Sequence, residues 1–144
     1  MSTSDAIPAT EVVARLYAAF AAGDGPTLAG LLHPEFTGRV SDGMPFGLGG
    51  IVHSPEQMLR DVWGATHTHY ETTPHPDEYL AVGRDRVIVL GYYRGRSRAT
   101  HRQYEAAFTH DITIRDRKIA SLVQITDTKR WHDALISDGV YDRA

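Results

Sequence analysis

Arg102-Gln103-Tyr104-Glu105-Ala106-Ala107-Phe108-Thr109-His110-Asp111-Ile112-Thr113-Ile114-Arg115 alternates in character almost without error. Tyr104, Ala106, Phe108, His110, Ile112 and Ile114 share one face, and Gln103, Glu105, Ala107, Thr109, Asp111 and Thr113 share the other. Period two is the signature of a β-strand with one face on a core. A strand of about a dozen residues is longer than the usual ~5–6. Strands of that length in a small domain curve, and a curved sheet with helices across its mouth encloses a cavity. His110 stands in the middle of the apolar face, where hydrophobicity does not place an imidazole. It either bonds a polar neighbour in the core or faces a cavity that a ligand enters.

Working outward from this strand, the polar turn 115–118 precedes a closing strand over 119–128, and 129–136 reads as a terminal helix. On the other side a long strand spans 87–98, preceded by the turn 83–86, a short strand over 78–82 and a loosely alternating stretch over 67–73. The N-terminal half is helical. Val12, Val13, Leu16, Tyr17 and Phe20 form a stripe capped by Thr10 and stopped at Gly23-Asp24-Gly25. Pro26 opens a short helix with Leu28, Leu31 and Leu32 inward. Phe36 begins a short strand, followed by a glycine-rich loop carrying Met44, Phe46 and Leu48. Ser54-Pro55-Glu56-Gln57 is a capping box whose helix aligns Met58, Leu59, Val62 and Trp63 and stops at Gly64. Helices first and a meander after them predict an α+β fold. One domain is expected over residues 9–137, with a loose lead-in at 1–8 and a tail at 138–144.

The chain has 144 residues, 42% hydrophobic and 23% charged, the balance of one globular domain. A net charge of −3 gives no electrostatic reason for nucleic acid or an anionic membrane surface. There is no cysteine, so disulfides, thiol catalysis and thiolate metal sites are excluded. The composition, the absence of a signal-like start and the lack of a ~20-residue apolar run lead to the expectation of a cytoplasmic protein.

The eight histidines are many for this length. His67 and His69, read as one strand face, form a candidate metal pair with His33, His53 or His75, but no spacing fixes a third ligand. No metal and no cofactor are expected. Arg94, Arg96 and Arg98 alternate on one strand face, where they either meet an anion or line a solvated edge.

The order of elements resembles the nuclear-transport-factor-2-like superfamily, which includes ketosteroid isomerase, limonene epoxide hydrolase and the SnoaL-like polyketide cyclases. Residues 16–24, Leu-Tyr-Ala-Ala-Phe-Ala-Ala-Gly-Asp, resemble its first helix and "GD" stop. Leu31-Leu32-His33-Pro34-Glu35-Phe36 resembles the end of its second helix, and Arg117-Lys118-Ile119 with Gln124-Ile125-Thr126-Asp127-Thr128 the closing strand of the SnoaL-like branch. The resemblance implies a curved antiparallel sheet forming a cone, with three N-terminal helices packed across it. It further implies cofactor-independent acid/base chemistry on a carbonyl compound: isomerisation, cyclisation or a related proton transfer.

Residue by residue, the hydrolase's last-strand aspartate falls on Gln124, which cannot be a base. The isomerase's protonated oxyanion donor falls on His110, its base near Asp42, and its helix-one tyrosine on Tyr17. These three are the candidate catalytic residues. Met44, Phe46, Met58, Trp63, Tyr93, Tyr104, Phe108, Gln124 and Asp127 are the candidate substrate-binding residues. A non-catalytic ligand-binding protein on the same fold is the alternative. If His110 faces the cavity, its loss should abolish function at little cost to stability; if it is a core histidine, its loss should be destabilising. Val87 and Val89 oppose Ile88 and Leu90, and Leu122 and Gln124 oppose Val123 and Ile125. A sheet apolar on both faces needs cover on both, which leads to the expectation of a homodimer through the sheet.

Overall fold

The computed structural model describes residues 7–136; most of the expected lead-in at 1–8 and all of the expected tail at 138–144 lie outside the described residues. Helix α1 (Ala9–Ala22) buries Val12, Val13, Leu16, Tyr17 and Ala19. It ends as the sequence predicts, with Gly23 left-handed at φ 64°. The Gly23 N–H donates to the Phe20 carbonyl and the Asp24 N–H to that of Ala19, which satisfies two end carbonyls. Its start differs. Pro8 occupies the cap position with no side-chain bond, so Thr10 is already inside the helix. Helix α2 (Gly25–Leu31) is capped by Asp24, whose carboxylate accepts the Thr27 N–H at 3.1 Å. Strand β1 (Leu32–Val40) begins four residues before Phe36, so Leu32 belongs to the sheet and not to the helix.

After a loop and the three-residue edge strand β2 (Gly50–Val52), one helical run over 55–69 forms α3. Ser54 caps it, accepting the Gln57 N–H at 3.1 Å. Gln57 in turn accepts the His53 N–H at 2.8 Å. The run is α-helical over Pro55–Gln57, π-helical over Met58–Gly64 and α-helical again over Ala65–His69. Gly64 therefore does not stop the helix. The wide turn absorbs it, and the Thr66 hydroxyl bonds back to the Val62 carbonyl at 2.6 Å. His67 and His69 lie on a helix, which removes the strand face on which they were expected to pair.

Strands β3 (Tyr70–Val82), β4 (Arg86–Ser97), β5 (Gln103–Arg115) and β6 (Lys118–Thr126) form the meander, and α4 (Thr128–Asp133) closes it. From Tyr70 on, the two stretches expected over 67–73 and 78–82 are a single strand with a bulge between Pro76 and Glu78. The sheet order is β2-β1-β6-β5-β4-β3. It is antiparallel apart from one pair: β1 runs parallel to β6. The β5–β6 turn places Asp116 and Arg117 at φ 54° and 62°, the backbone of a two-residue hairpin turn.

Curvature is visible in β4. A Cβ on Gly91 would lie 2.2 Å from the His75 carbonyl oxygen, and one on Gly95 2.0 Å from that of Glu71. Only glycine lets β3 and β4 press together there and wrap the sheet. The concave face holds the core, and on β5 Ala106, Phe108, His110, Ile112 and Ile114 are all buried. Helices α1 to α3 lie across that face, as the sequence predicts.

Candidate functional site

The concave face and the helices enclose a cavity of about 50 Å³. Of the predicted residues, Met44, Met58, Trp63, Tyr93, His110 and Gln124 line it. Met44 and Leu48 descend from the loop after β1, Met58 and Trp63 face in from α3, and Tyr93, His110 and Gln124 rise from three adjacent strands.

His110 is the centre of a polar chain through this apolar space. Its Nδ1 is 2.7 Å from the Tyr17 hydroxyl, and its Nε2 is 2.6 Å from the Tyr93 hydroxyl. The Gln124 amide donates to Tyr93 at 2.9 Å. The Gln124 carbonyl oxygen accepts the Ser41 N–H at 3.4 Å, which orients the amide. The Ser41 hydroxyl donates to the Gln124 backbone carbonyl and accepts the Thr126 N–H, both at 3.1 Å. The imidazole is also stacked on Phe108 at 3.9 Å between ring centres.

Burial sets the charge state of this chain. His110 is 3% exposed, and desolvation pushes its pKa from 6.5 down to about 3. It is neutral at physiological pH, not the half-solvated group with a near-neutral pKa that acid/base work invites. Desolvation also raises the pKa values of Tyr17 and Tyr93, so both keep their protons.

The consequence for stability has a definite sign. The unfolded chain binds a proton at this imidazole near 6.5, the folded chain only near 3. Between those values the unfolded state holds the extra proton, so stability falls as pH falls, by up to about 1.4 kcal/mol per pH unit. Urea titrations at about pH 7, 6 and 5 should show this loss in the wild type, with the part due to His110 missing in His110→Asn.

A neutral imidazole has one N–H and one bare nitrogen. One tyrosine therefore donates to it, and the other accepts from it and keeps a free hydroxyl hydrogen. Were that Tyr17, the hydrogen would point among the rings of Tyr79 and Phe108, with no acceptor among the described residues. A buried donor left so costs about 1–3 kcal/mol. Were it Tyr93, the hydrogen would face the cavity that Tyr93 lines, where water or ligand takes it. The favoured arrangement has Tyr17 donating to Nδ1 and Nε2–H donating to Tyr93. The Tyr93 oxygen then accepts twice and its O–H points inward.

The other predicted residues stand off the cavity wall. Asp42 is in an exposed loop, its carboxylate 3.6 Å from the Arg39 guanidinium and its side chain 74% exposed. The base expected there does not reach the cavity. Phe46, at φ 62°, turns outward and stacks on His69 with ring centres 3.7 Å apart. Tyr104 supports from behind, donating its hydroxyl to Thr72 at 2.6 Å, and Phe108 backs His110. Asp127 stands at the cap position of α4, makes no side-chain cap bond, and leans toward Arg130.

Three residues of the site were not singled out in the sequence. Trp131 of α4 is 1% exposed, lines the far end of the cavity and donates its indole N–H to Thr126. It packs on Tyr70, Tyr93 and Tyr104. Tyr70 donates to the Trp131 carbonyl at 2.9 Å, and burial pushes its pKa up to about 12. Ser41 follows β1 directly. A lone tryptophan after the last strand was the available signal; for Ser41 there was none. His67, weighed only as a metal ligand, stands on the cavity rim.

Among the described residues, no three metal-binding side chains come together. His33 accepts the Glu35 N–H at Nδ1 and bonds Asp116 through Nε2. The arginines of β4 pair with carboxylates: Arg94 with Glu105, Arg96 and Arg98 with Glu71. No helix is long and apolar enough to cross a membrane.

A curved sheet closed by helices around an apolar cavity, with one buried hydroxyl–imidazole chain on its wall, defines a class of small α+β cone domains. The chain belongs to the SnoaL-like domain family, whose model matches residues 13–122. An NTF2-like protein of unknown function from Burkholderia pseudomallei is similar, with 26% identity, coverage of 95% of this chain and 100% of that one, and a TM-score of 0.81. TerC, co-crystallized with polyporic acid, is similar at 25% identity over 90% of this chain and 98% of its own, with a TM-score of 0.80. IdmH, a putative polyketide cyclase from Streptomyces antibioticus, shares the fold at 24% identity over 88% and 96%, with a TM-score of 0.74. No curated protein matches the chain in sequence.

Proposed function

We propose that this protein is a cofactor-independent enzyme that promotes enolisation of an apolar carbonyl compound, in an isomerisation, cyclisation or related proton transfer. The observation behind this reading is the Tyr93 hydroxyl of the cavity wall, 2.6 Å from His110 Nε2 and accepting the Gln124 amide at 2.9 Å, an arrangement that favours an inward O–H. Two donors on its oxygen fix its direction before substrate arrives. A carbonyl oxygen placed against it accepts the O–H, and the bond strengthens as negative charge develops on that oxygen. His110 is then a positioning residue and not a proton carrier. The proton acceptor in this reading is His67, among the described residues the one ionisable side chain on the cavity wall besides Tyr93 and His110. The likeness in fold to IdmH, described as a putative polyketide cyclase, supports the choice of polyketide-like substrates.

The reading is tested by incubating the protein in D₂O with a panel of apolar ketones and following exchange at the carbon next to the carbonyl by NMR. Catalysed exchange, slowed in His67→Gln, supports it. Binding of ketones with no exchange above buffer supports the second reading, a ligand-binding protein without turnover. That second reading has one observation in its favour: among the described residues, no carboxylate lines the cavity.

The assembly proposed with this function is a homodimer through the outer sheet face. Pairing brings Leu80, Ile88 and Val123 into one row, with Asp111 between the last two, and Leu90 and Ile125 into the next, with Thr109 between them. Ile125 is 62% exposed and Leu80 43%. Light scattering at micromolar concentration should give the dimer mass, reduced to the monomer by Ile125→Lys; a wild-type monomer contradicts it.

A further inference from the structure

We propose that the groove between α1, α2 and α3 is the outer half of the binding site, occupied by the apolar body of the substrate whose oxygen-bearing end meets Tyr93. This rests on the reading of Tyr93 given above. The inner cavity, at about 50 Å³, has room for a few waters. Sites for small organic molecules usually offer about 300–1,000 Å³. The groove has about 340 Å³.

The two spaces share three side chains, Phe20, Trp63 and His67, which therefore form the wall between them. Phe20 and Trp63 meet edge to face at 4.9 Å, and neither is fully buried. Among the described residues nothing accepts the Trp63 indole N–H, so no hydrogen bond fixes its rotamer. Trp63 also lies in the π-helical turn, followed by Gly64, where a Cβ would come within 2.9 Å of the Leu59 carbonyl oxygen. Rotation of this one indole joins the two spaces. Met44 and Met58 on the inner side are the adaptable side chains that let the inner space widen.

The joined space selects a substrate class. Leu28, Leu59, Phe20 and Trp63 offer the groove apolar surface, and among the described residues no lysine or arginine lines either space. An acidic or phosphorylated group finds no counter-charge there. The ligand that fits is an elongated, uncharged, mostly apolar molecule about two rings long, with a carbonyl or hydroxyl at its inner end.

Methyl-labelled Met and Leu in the full chain report the two halves separately in NMR titrations with phenol and with 4-phenylphenol. Phenol should shift the methyls of the inner cavity, Met44, Leu48, Met58 and Leu122, and leave Leu28 and Leu59 unmoved; 4-phenylphenol should shift Leu28 and Leu59 as well. Ala29→Trp, which fills the groove from an exposed position of α2, should weaken 4-phenylphenol at least ~10-fold and leave phenol within about twofold. If 4-phenylphenol binds with Leu28 and Leu59 unmoved and Ala29→Trp has no effect, the groove proposal is overturned while the Tyr93 reading stands. Leu28 and Leu59 shifts that follow protein concentration and ignore the probe would make the groove an interface between copies, which also overturns it. Probes that leave Met44 and Met58 unmoved would remove the Tyr93 reading and this proposal together.

Discussion

His110→Ala should lower the stability of the folded chain by about 2–4 kcal/mol, a drop in melting temperature on the order of 10 °C. The imidazole bonds two buried hydroxyls, Tyr17 at 2.7 Å and Tyr93 at 2.6 Å, and its removal takes a partner from both. Tyr93 keeps the Gln124 amide, but Tyr17 keeps nothing among the described residues. A ring-sized void opens as well, beside Phe108. The sequence alone left open whether this loss would be cheap; the two short bonds make it expensive. Chemical denaturation of His110→Ala, Tyr17→Phe and the double variant should show coupling of at least about 1 kcal/mol between the two sites. A melting temperature within a degree or two of wild type would mean that the imidazole is solvated in solution.

Tyr93→Phe should have the larger effect on function and the smaller one on stability. It removes one hydroxyl oxygen, leaving the Gln124 N–H and the His110 nitrogen facing a cavity that admits water. The stability loss should stay near ~1–2 kcal/mol. Loss of a preorganised donor to a developing oxyanion typically lowers turnover about 10²–10³-fold. Ketone exchange in D₂O should fall by that factor, with phenol binding weakened about tenfold. Equal exchange rates in wild type and Tyr93→Phe would assign the oxygen-binding role to another group.

Legibility of the fold from sequence followed the strength of local patterns. The period-two run through β5 gave a correct face for every residue from Ala106 to Ile114, because one side of that strand is buried along its length. The Gly23 stop and the Ser54 cap were legible because each rests on a local backbone or side-chain bond. The span 64–69 was misread because a π-helical turn offsets the apolar spacing and lets a glycine sit inside a helix. The parallel pairing of β1 with β6 had no local signal, since it joins segments more than eighty residues apart.

The site was legible in its centre and not at its edge. His110 was found because an imidazole on an apolar face has to be explained by something. Tyr17 and Gln124 were expected beside it through the family resemblance; the bond to Tyr93 was not, because the reach of Tyr93 to Nε2 depends on how β4 curves at Gly91 and Gly95. Asp42 was proposed from the resemblance, as the carboxylate near the position of the isomerase's base, yet Met44 turns inward while Asp42 faces Arg39 and solvent. In a loop, adjacency does not fix direction, and no periodicity was available to supply it.

The central claim is that a neutral His110 donates from Nε2 to Tyr93 and so turns the Tyr93 hydroxyl into the cavity. Nitrogen-15 NMR of the labelled imidazole tests it most directly. The prediction is a single neutral tautomer, protonated at Nε2 and bare at Nδ1, unchanged from about pH 7 to pH 5. A tautomer with the proton on Nδ1 would turn the Tyr93 hydroxyl back to the imidazole and contradict it, and a ring protonated on both nitrogens in that range would contradict its neutrality.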